Sequence, residues 1–185
     1  MPAGARFRLP GHFRPRTRLE LAGFYSWVHN LMQEYYLAPN LFQIQNLGRV
    51  VQGGAEMSVR SSAISRLLVE LQYAYLNRRN VSQPGIPLVQ SPRHRGRLSA
   101  MWRLPRGILL AGETQWEDGR WALNEGGRYV RVSGFTVVHA SAAVPVASSV
   151  ELRAGARNIT DRNYFFDEGY PEPGRSLFGG ISWRF

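Results

Sequence analysis

The sequence contains no cysteine, no lysine and no long hydrophobic run. Without cysteine, neither a disulfide framework nor a thiolate metal site can form. All 23 basic residues are arginine, and with 13 acidic residues they give a formal charge of +10. No apolar stretch reaches the roughly 18 to 20 residues of a membrane-spanning helix, and the N-terminus has no apolar core of a secretory signal. By hydropathy alone, this composition is typical of a soluble protein.

The sequence also lacks the common motifs of catalysis and metal binding. It has no glycine-rich phosphate loop, no nucleophile elbow and no HExxH motif. The four histidines are scattered without the spacing of metal ligands, at His12, His29, His94 and His139. Asp167 and Glu168 lie in a long connection, where a solvated turn is a simpler interpretation than an acid–base couple. The sequence therefore predicts no enzyme, no catalytic residue, no metal site and no cofactor.

What the sequence does contain is a repeated alternation of apolar and polar residues. From 150 to 157, valine, leucine and two alanines occupy the even positions, while glutamate, glycine and two arginines occupy the odd ones. Residues 93–104 alternate in the same way, with arginines along one side. A period of two is typical of a strand whose two faces meet different surroundings.

The pattern predicts an all-β protein of about eight antiparallel strands. We place them near residues 17–29, 41–60, 66–78, 94–104, 107–117, 128–142, 149–158 and 176–185. In the second strand the alternation slips near Gly48, which suggests a bulge.

The connections between these strands alternate in length. They are long at 30–40, 79–93, 118–127 and 159–175, and short at 61–65, 104–107 and 143–148. Tight turns at one end and long loops at the other are typical of an up-and-down transmembrane β-barrel, whose outer face meets lipid and whose lumen is polar. Aromatic residues near strand ends would then lie at the two membrane interfaces, at Trp27, Tyr75, Trp116 and Trp183.

The C-terminal segment "GARNITDRNYFFDEGYPEPGRSLFGGISWRF" closely resembles the end of TonB-dependent outer-membrane receptors. In that family an Asn-Leu-x-Asp-x-x-Tyr element precedes Gly-Tyr-x-x-Pro-Gly-Arg and a last strand that ends in Phe. The matching residues are Asn158, Asp161, Tyr164, Gly169, Tyr170, Pro173, Gly174, Arg175 and Phe185, with Ile159 in place of the usual leucine. The upstream segments "FYSWVHNLM", "QNLGRVVQGGAEMSV" and "PLVQSPRHRGRLSAMW" are similar to successive barrel segments of the family. The resemblance covers residues 17–185, and residues 1–16 are a poorly defined N-terminal segment.

The resemblance implies the last third of a plugged barrel of about 22 strands in the outer membrane of a Gram-negative bacterium. Such receptors import ferric siderophores, cobalamin, haem or similar nutrients with energy delivered through TonB. The last strand and Phe185 correspond to the signal read by the outer-membrane insertion machinery. We expect the 185 residues alone to be inactive in transport and to leave two unpaired edges, near 17–29 and 176–185.

Two groups of residues are candidates for a site. Five arginines are expected to face the lumen: Arg93, Arg95, Arg97, Arg153 and Arg157. They could contact the plug or an anionic ligand, but the favoured interpretation is that they balance lumen carboxylates such as Glu70, Glu113 and Glu151. Aromatic residues of the long loops could contact ligand at the outer face, or equally pack on each other: Tyr35, Tyr36, Tyr164, Phe165 and Phe166.

Two other interpretations stay open at this point. A sequence pI of about 10.9 with interleaved aromatic residues would suit a soluble β-protein that binds nucleic acid on one contiguous basic surface. Alternatively, eight strands could close into a small independent barrel. The family resemblance disfavours both, and we expect no nucleic-acid partner.

Overall fold

The computed structural model describes residues 3–12, 16–38 and 41–184, with side chains from residue 16 onward. Fifteen strands run along it: β1 (Ala3–His12), β2 (Thr17–His29), β3 (Met32–Ala38), β4 (Leu41–Asn46), β5 (Arg49–Ser61), β6 (Leu67–Asn80), β7 (His94–Arg103), β8 (Leu109–Glu117), β9 (Arg120–Leu123), β10 (Tyr129–Val132), β11 (Phe135–Ala147), β12 (Val150–Arg157), β13 (Phe165–Asp167), β14 (Tyr170–Pro171) and β15 (Ser176–Trp183). The described helical structure is one 3₁₀ turn, Pro105–Gly107. No described helix has the length and apolar character needed to cross a membrane.

Nine strands form one antiparallel sheet in the order β1-β2-β5-β6-β7-β8-β11-β12-β15. Each strand pairs with the next member of this series along the chain, so the topology is up-and-down. The four longest strands have 13 or 14 residues, more than the about 9–11 that a tilted strand needs to cross a bilayer. Within the described residues the sheet is open, because β1 and β15 each pair on one side only. The predicted fold class is confirmed, as an unclosed segment.

The remaining six strands form three hairpins inside long connections. The pairs are β3 with β4, β9 with β10, and β13 with β14. All three hairpins lie at the same end of the sheet, because they follow β2, β8 and β12, which run in the same direction. We call this the loop end, and the opposite end, with its tight turns, the turn end.

Three details differ from the predicted strands. β1 pairs along the whole of β2 from Ala3↔Trp27 to His12↔Arg18, so the unpaired edge expected at 17–29 is wrong, and β1 forms that edge instead. The predicted strand 128–142 is two elements, β10 and β11, separated by Ser133 and Gly134.

The predicted bulge near Gly48 is also wrong. Leu47 and Gly48 separate the loop-end hairpin from β5, and backbone hydrogen bonds join Leu47 to Leu31 at 2.7 Å and Leu31 to Gly48 at 3.3 Å. Gly48 has φ of +78°, and a Cβ there would lie 2.6 Å from the Ser82 hydroxyl oxygen. The alternation slips here because one continuous run of residues belongs to two different sheets.

The register divides the side chains of the main sheet between two faces. Cα partners on antiparallel strands project side chains to the same side. The side on which Arg18, Arg60 and Glu70 are aligned is the polar face. It carries Arg18, Arg60, Arg78, Arg95, Arg97, Arg103, Arg153 and Arg157, together with Glu20, Glu56, Glu70, Glu113, Glu117 and Glu151. The other side, the apolar face, is mainly leucine, valine, alanine, glycine and aromatic residues.

The buried core lies at the loop end of the polar face. Val50, Phe135 and Val137 are at most 4% exposed, and all three project from the polar face. They are covered by the long connections, which fold back over this face. The fold therefore places its best-packed region beneath the loops.

Candidate functional site

Carboxylates and arginines of the polar face are arranged as ion pairs across and along the strands. Arg97 pairs with Glu113 at 2.5 Å, Arg60 with Glu70 at 3.1 Å, and Arg153 with Glu151 at 2.6 Å. Arg18 pairs with Glu20 at 2.5 Å, and Arg18 is the Cα partner of Arg60. These pairs alternate the sign of charge, so the face is not the contiguous basic surface that the nucleic-acid interpretation requires.

The structure places four of the five predicted arginines on the polar face, and Arg93 in the loop that precedes β7. Arg93 accepts a backbone hydrogen bond from Leu76 at 2.9 Å. The guanidinium of Arg157 lies 5.8 Å from the ring centre of Phe178. Arg95 borders a depression of about 460 Å³ that also contacts Glu20 and Glu56. A second depression, of about 510 Å³, lies between Glu70 and His139, so two open concavities follow the polar face.

The predicted aromatic residues lie in two separate groups. The ring of Tyr164 lies 4.5 Å from that of Phe135, and Phe166 stands edge-on at 5.4 Å from Phe135 and 5.6 Å from Tyr164. Tyr36 packs at 5.8 Å from Phe42 within the β3–β4 hairpin, while Tyr35 is 44% exposed.

Tyr164 is half-buried against the core beneath the loops, whereas Phe166 packs at its edge and stays 40% exposed. Burial, with a smaller contribution from the Glu172 carboxylate, raises the pKa of the Tyr164 phenol, so this group stays protonated at neutral pH. Phe165 contacts the neighbouring loop through its backbone carbonyl, which accepts a hydrogen bond from Arg120 at 2.7 Å.

Arg120, which the sequence did not single out, connects three of the long connections. It is 3% exposed, and its Nε donates to Gln90 at 3.1 Å. Its terminal nitrogens contact Glu117 at 3.4 Å and the carbonyls of Phe165 and Phe166. Gln90 in turn donates to Asp167. One side chain thus holds the loops 81–93, 118–134 and 158–175 together.

Asn158 and Asp161 of the C-terminal motif shape the last of these loops. Asn158 is 2% exposed, and its side chain donates to the carbonyls of Arg162 and Pro173 at 2.8 and 3.2 Å and accepts from Arg162 at 2.8 Å. The Asp161 carboxylate accepts from the backbone of Arg175 at 2.7 Å. Both residues have positive φ, 47° and 52°, a conformation that Asn and Asp tolerate better than most residues.

The other motif residues have simpler positions. Gly169 has φ of +83°, and Tyr170 is 71% exposed. A Cβ on Gly174 would lie 2.9 Å from the Asp161 carboxylate, so any larger residue at position 174 would displace that carboxylate. Phe185 lies outside the described residues. Among the residues that the structure describes, no three His, Asp or Glu side chains are close enough to hold a metal ion.

A family profile described as "TonB dependent receptor-like, beta-barrel" matches residues 3–159. The chain belongs to this family. The match begins within β1 and runs through seven further strands of the main sheet, ending just after β12. No curated protein sequence matches the chain.

Solved structures of similar fold agree with this family assignment. The copper transporter OprC superposes with a TM-score of 0.77 at 19% identity, over 100% of this chain and 31% of OprC. The ferric-catecholate import receptor Fiu from Escherichia coli K12 gives 0.77 at 17% identity, over 100% of this chain and 27% of Fiu. The pyoverdine receptor FpvA from Pseudomonas aeruginosa PAO1 gives a TM-score of 0.76 at 16% identity, over 100% of this chain and 30% of FpvA. The chain thus spans less than a third of the length of these proteins, and the likeness concerns their fold.

Membership of a transmembrane barrel family identifies the surroundings of the two faces. In such barrels the apolar residues of each strand face lipid and the alternate polar residues face the lumen. The four aromatic residues predicted at the membrane interfaces all lie on the apolar face: Trp27, Tyr75, Trp116 and Trp183. The first three are in the loop-end half of the sheet, and Trp183 is at the turn end.

Proposed function

We propose that this chain supplies the C-terminal strands of an outer-membrane receptor that imports a scarce nutrient, coupled to TonB in the full-length protein. The single observation that carries the proposal is the division of one open nine-stranded sheet into a lipid-compatible apolar face and a charged polar face. The candidate nutrients are a ferric siderophore, cobalamin, haem or a similar compound. The named functions of the structural neighbours, copper transport and ferric-catecholate import, support a receptor role for this chain.

Within this proposal the polar-face arginines serve mainly to balance the lumen. Arg97 and Arg153 each have a carboxylate partner at about salt-bridge distance, 2.5 and 2.6 Å, which supports the balancing role. Arg95 and Arg157 take part in none of the ion pairs among the described residues, and they are the arginines we propose for an anionic ligand or for the plug. Tyr35 is the exposed loop aromatic best placed to contact ligand.

The test of the proposed function is nutrient uptake by the chain and by the receptor that contains it. Residues 1–185, expressed behind an added signal peptide in a strain without its own receptors, should give no energy-dependent uptake of ferric siderophores or cobalamin. Two edges of the sheet are unpaired, and each unsatisfied backbone group costs several kcal/mol in lipid. A receptor gene that contains this segment should restore uptake, and its uptake should stop when the proton-motive force is removed. Energy-dependent uptake by the 185 residues alone would contradict the proposal.

We further propose that Phe185 serves assembly by the outer-membrane insertion machinery. β15 presents Leu177, Ile181 and Trp183 on its apolar face, and the terminal aromatic residue extends the same series in the sequence. Deleting Phe185 from the receptor should lower the amount inserted, while the molecules that do insert transport at the normal rate each. The measurements are receptor abundance in purified outer membranes and uptake per receptor. Unchanged abundance would refute this assignment.

A further inference from the structure

The apolar face carries two formal charges on the eight strands whose side chains are described, and both belong to arginines. Arg49 is the first residue of β5, and Arg79 is the second-last residue of β6. Every glutamate of these eight strands is on the polar face. On these eight strands, the two charges of the apolar face are therefore both positive, and both lie at the loop end.

The register brings these two arginines together. Val51 is opposite both Trp27 on β2 and Arg79 on β6, and Arg49 precedes Val51 by two residues on the same face. Arg49 and Arg79 are therefore diagonal neighbours on adjacent strands, whose Cα atoms lie about 7–8 Å apart. His29 is directly opposite Arg49, and all three side chains are exposed.

Arg49 and Arg79 are held so that their side chains stay on this side of the sheet. The backbone N–H of Arg49 donates to the Ser82 hydroxyl at 2.9 Å, and its carbonyl accepts from Val81 at 2.9 Å. At the same level the polar face is filled, because Val50 is 0% and Asn80 4% exposed beneath the loop 81–93. The register therefore places both side chains on the apolar face, where both are exposed.

The neighbouring aromatic residues indicate the depth of the cluster in the membrane. Trp27 is 49% and Tyr25 46% exposed on the same face, with their rings edge-on at 4.9 Å. Aromatic residues of this kind lie at the level of the lipid headgroups. Arg49 and Arg79 are at the loop-end limit of their strands, which is the same level.

Neither arginine takes part in an ion pair among the described residues. Two like charges at this spacing repel each other unless an anion lies between them, and guanidinium groups bind phosphate oxygens in bidentate fashion. We propose that Arg49 and Arg79, with His29 beside them, form a binding surface for a lipid whose headgroup carries a phosphate monoester, in the leaflet at the loop end. This inference depends on the proposed function, because it requires the sheet to span a membrane.

The experiment measures which lipids stay bound to the protein. The receptor that contains this segment is inserted into phosphatidylcholine vesicles that contain a minor fraction of phosphatidic acid and then extracted into mild detergent, and native mass spectrometry counts the retained lipids. We expect preferential retention of phosphatidic acid. Retention should weaken about fivefold for each of Arg49→Gln and Arg79→Gln, since one surface-level arginine contributes about that factor with anionic lipid.

Three controls make the result specific. Arg18→Gln with Arg103→Gln removes the same charge from the polar face and should leave retention unchanged. Arg49→Lys with Arg79→Lys keeps the charge and should retain an intermediate amount, because lysine lacks the bidentate fork. Excess inorganic phosphate should not displace the lipid.

Each contrary result has a defined meaning. Insertion is checked by a protease-protected fragment, and a receptor that does not insert overturns the proposed function together with this inference. If the protein inserts normally but retains both lipids equally, the inference alone is overturned. The same holds if Arg49→Gln/Arg79→Gln retains as much phosphatidic acid as the unaltered protein. Complete displacement by inorganic phosphate also overturns it, because the surface would then be a free-anion site.

Discussion

At the scale of single residues, Arg120 shows why a buried charge can be retained. A buried guanidinium is costly unless its donors are satisfied and its charge is paired. Arg120 meets both conditions through the Glu117 carboxylate, the Gln90 amide and two backbone carbonyls of the loop 158–175. The side chain is 2% exposed, and its Glu117 partner is 13% exposed. Arg120 therefore contacts all three loops, two of which are also joined directly by Gln90 and Asp167.

Replacing Arg120 should loosen all three loops without unfolding the sheet. Arg120→Met leaves the Glu117 carboxylate buried without its partner, which should lower the free energy of opening these loops by about 3 kcal/mol. Hydrogen exchange measured by mass spectrometry should become faster in 81–93 and 158–175, whereas β5 and β6 stay protected. Arg128→Met, at an exposed position beside the same hairpin, is the matched control. Unchanged exchange in 158–175 would show that Arg120 does not hold that loop.

At the scale of elements, close contacts across strands fix where the aromatic residues of the apolar face stand. Gly96 on β7 is the Cα partner of Trp116 on β8, and the indole lies over it. A Cβ at position 96 would be 2.1 Å from the Trp116 ring. The absence of a side chain on one strand thus provides the space for the large side chain on its neighbour.

Gly96→Ala should therefore destabilise the sheet by displacing Trp116. We expect a loss of about 1–3 kcal/mol in the free energy of unfolding, typical of overpacking, measured by urea unfolding of the vesicle-inserted protein. Gly180→Ala on β15, where an added Cβ meets nothing within 4 Å, should cost less. In a Trp116→Ala background the effect of Gly96→Ala should disappear. A cost that persists in that background would contradict the contact as its cause.

The sequence predicted the strands of the main sheet well, because their alternation reflects two permanently different surroundings. It failed where this condition does not hold. β1 contains Gly4, Pro10 and Gly11, which obscure its period, and the loop-end hairpins are too short to be distinguished from irregular loops. Arg120 could not be identified because its partners are 30 and 45 residues away along the chain. Its contacts depend on how three loops meet, and no local pattern encodes that.

At the scale of the whole molecule, the loop end and the turn end differ in a way that defines an orientation. The loop end carries the hairpins, the buried core and Arg120, whereas the turns at 104–108 and 148–149 are short. In outer-membrane barrels the long loops face the exterior and the short turns face the periplasm. We therefore expect residues 159–175 outside the cell, and the predicted connections 104–107 and 143–148 in the periplasm. The second connection is shortened to the turn 148–149, because β11 extends to Ala147.

Cysteine labelling of intact cells tests this orientation. The chain has no cysteine, so Glu168→Cys or Ser148→Cys introduces a single reactive site into this segment. A membrane-impermeant thiol reagent should label the Glu168→Cys receptor strongly, and the Ser148→Cys receptor only after the outer membrane is permeabilised. Labelling in the reverse order would invert the orientation.

The polar-face arginines have a consequence for how faithfully the sheet is assembled. A strand displaced by one residue exchanges its two faces. For β7 such an error would transfer Arg95, Arg97 and Arg103 into hydrocarbon, at about 2–4 kcal/mol for each residue near the bilayer midplane. A misaligned β7 is therefore expelled from the membrane instead of being trapped there. The charges of the polar face therefore disfavour a wrong strand register during insertion, because each such error would move them into hydrocarbon.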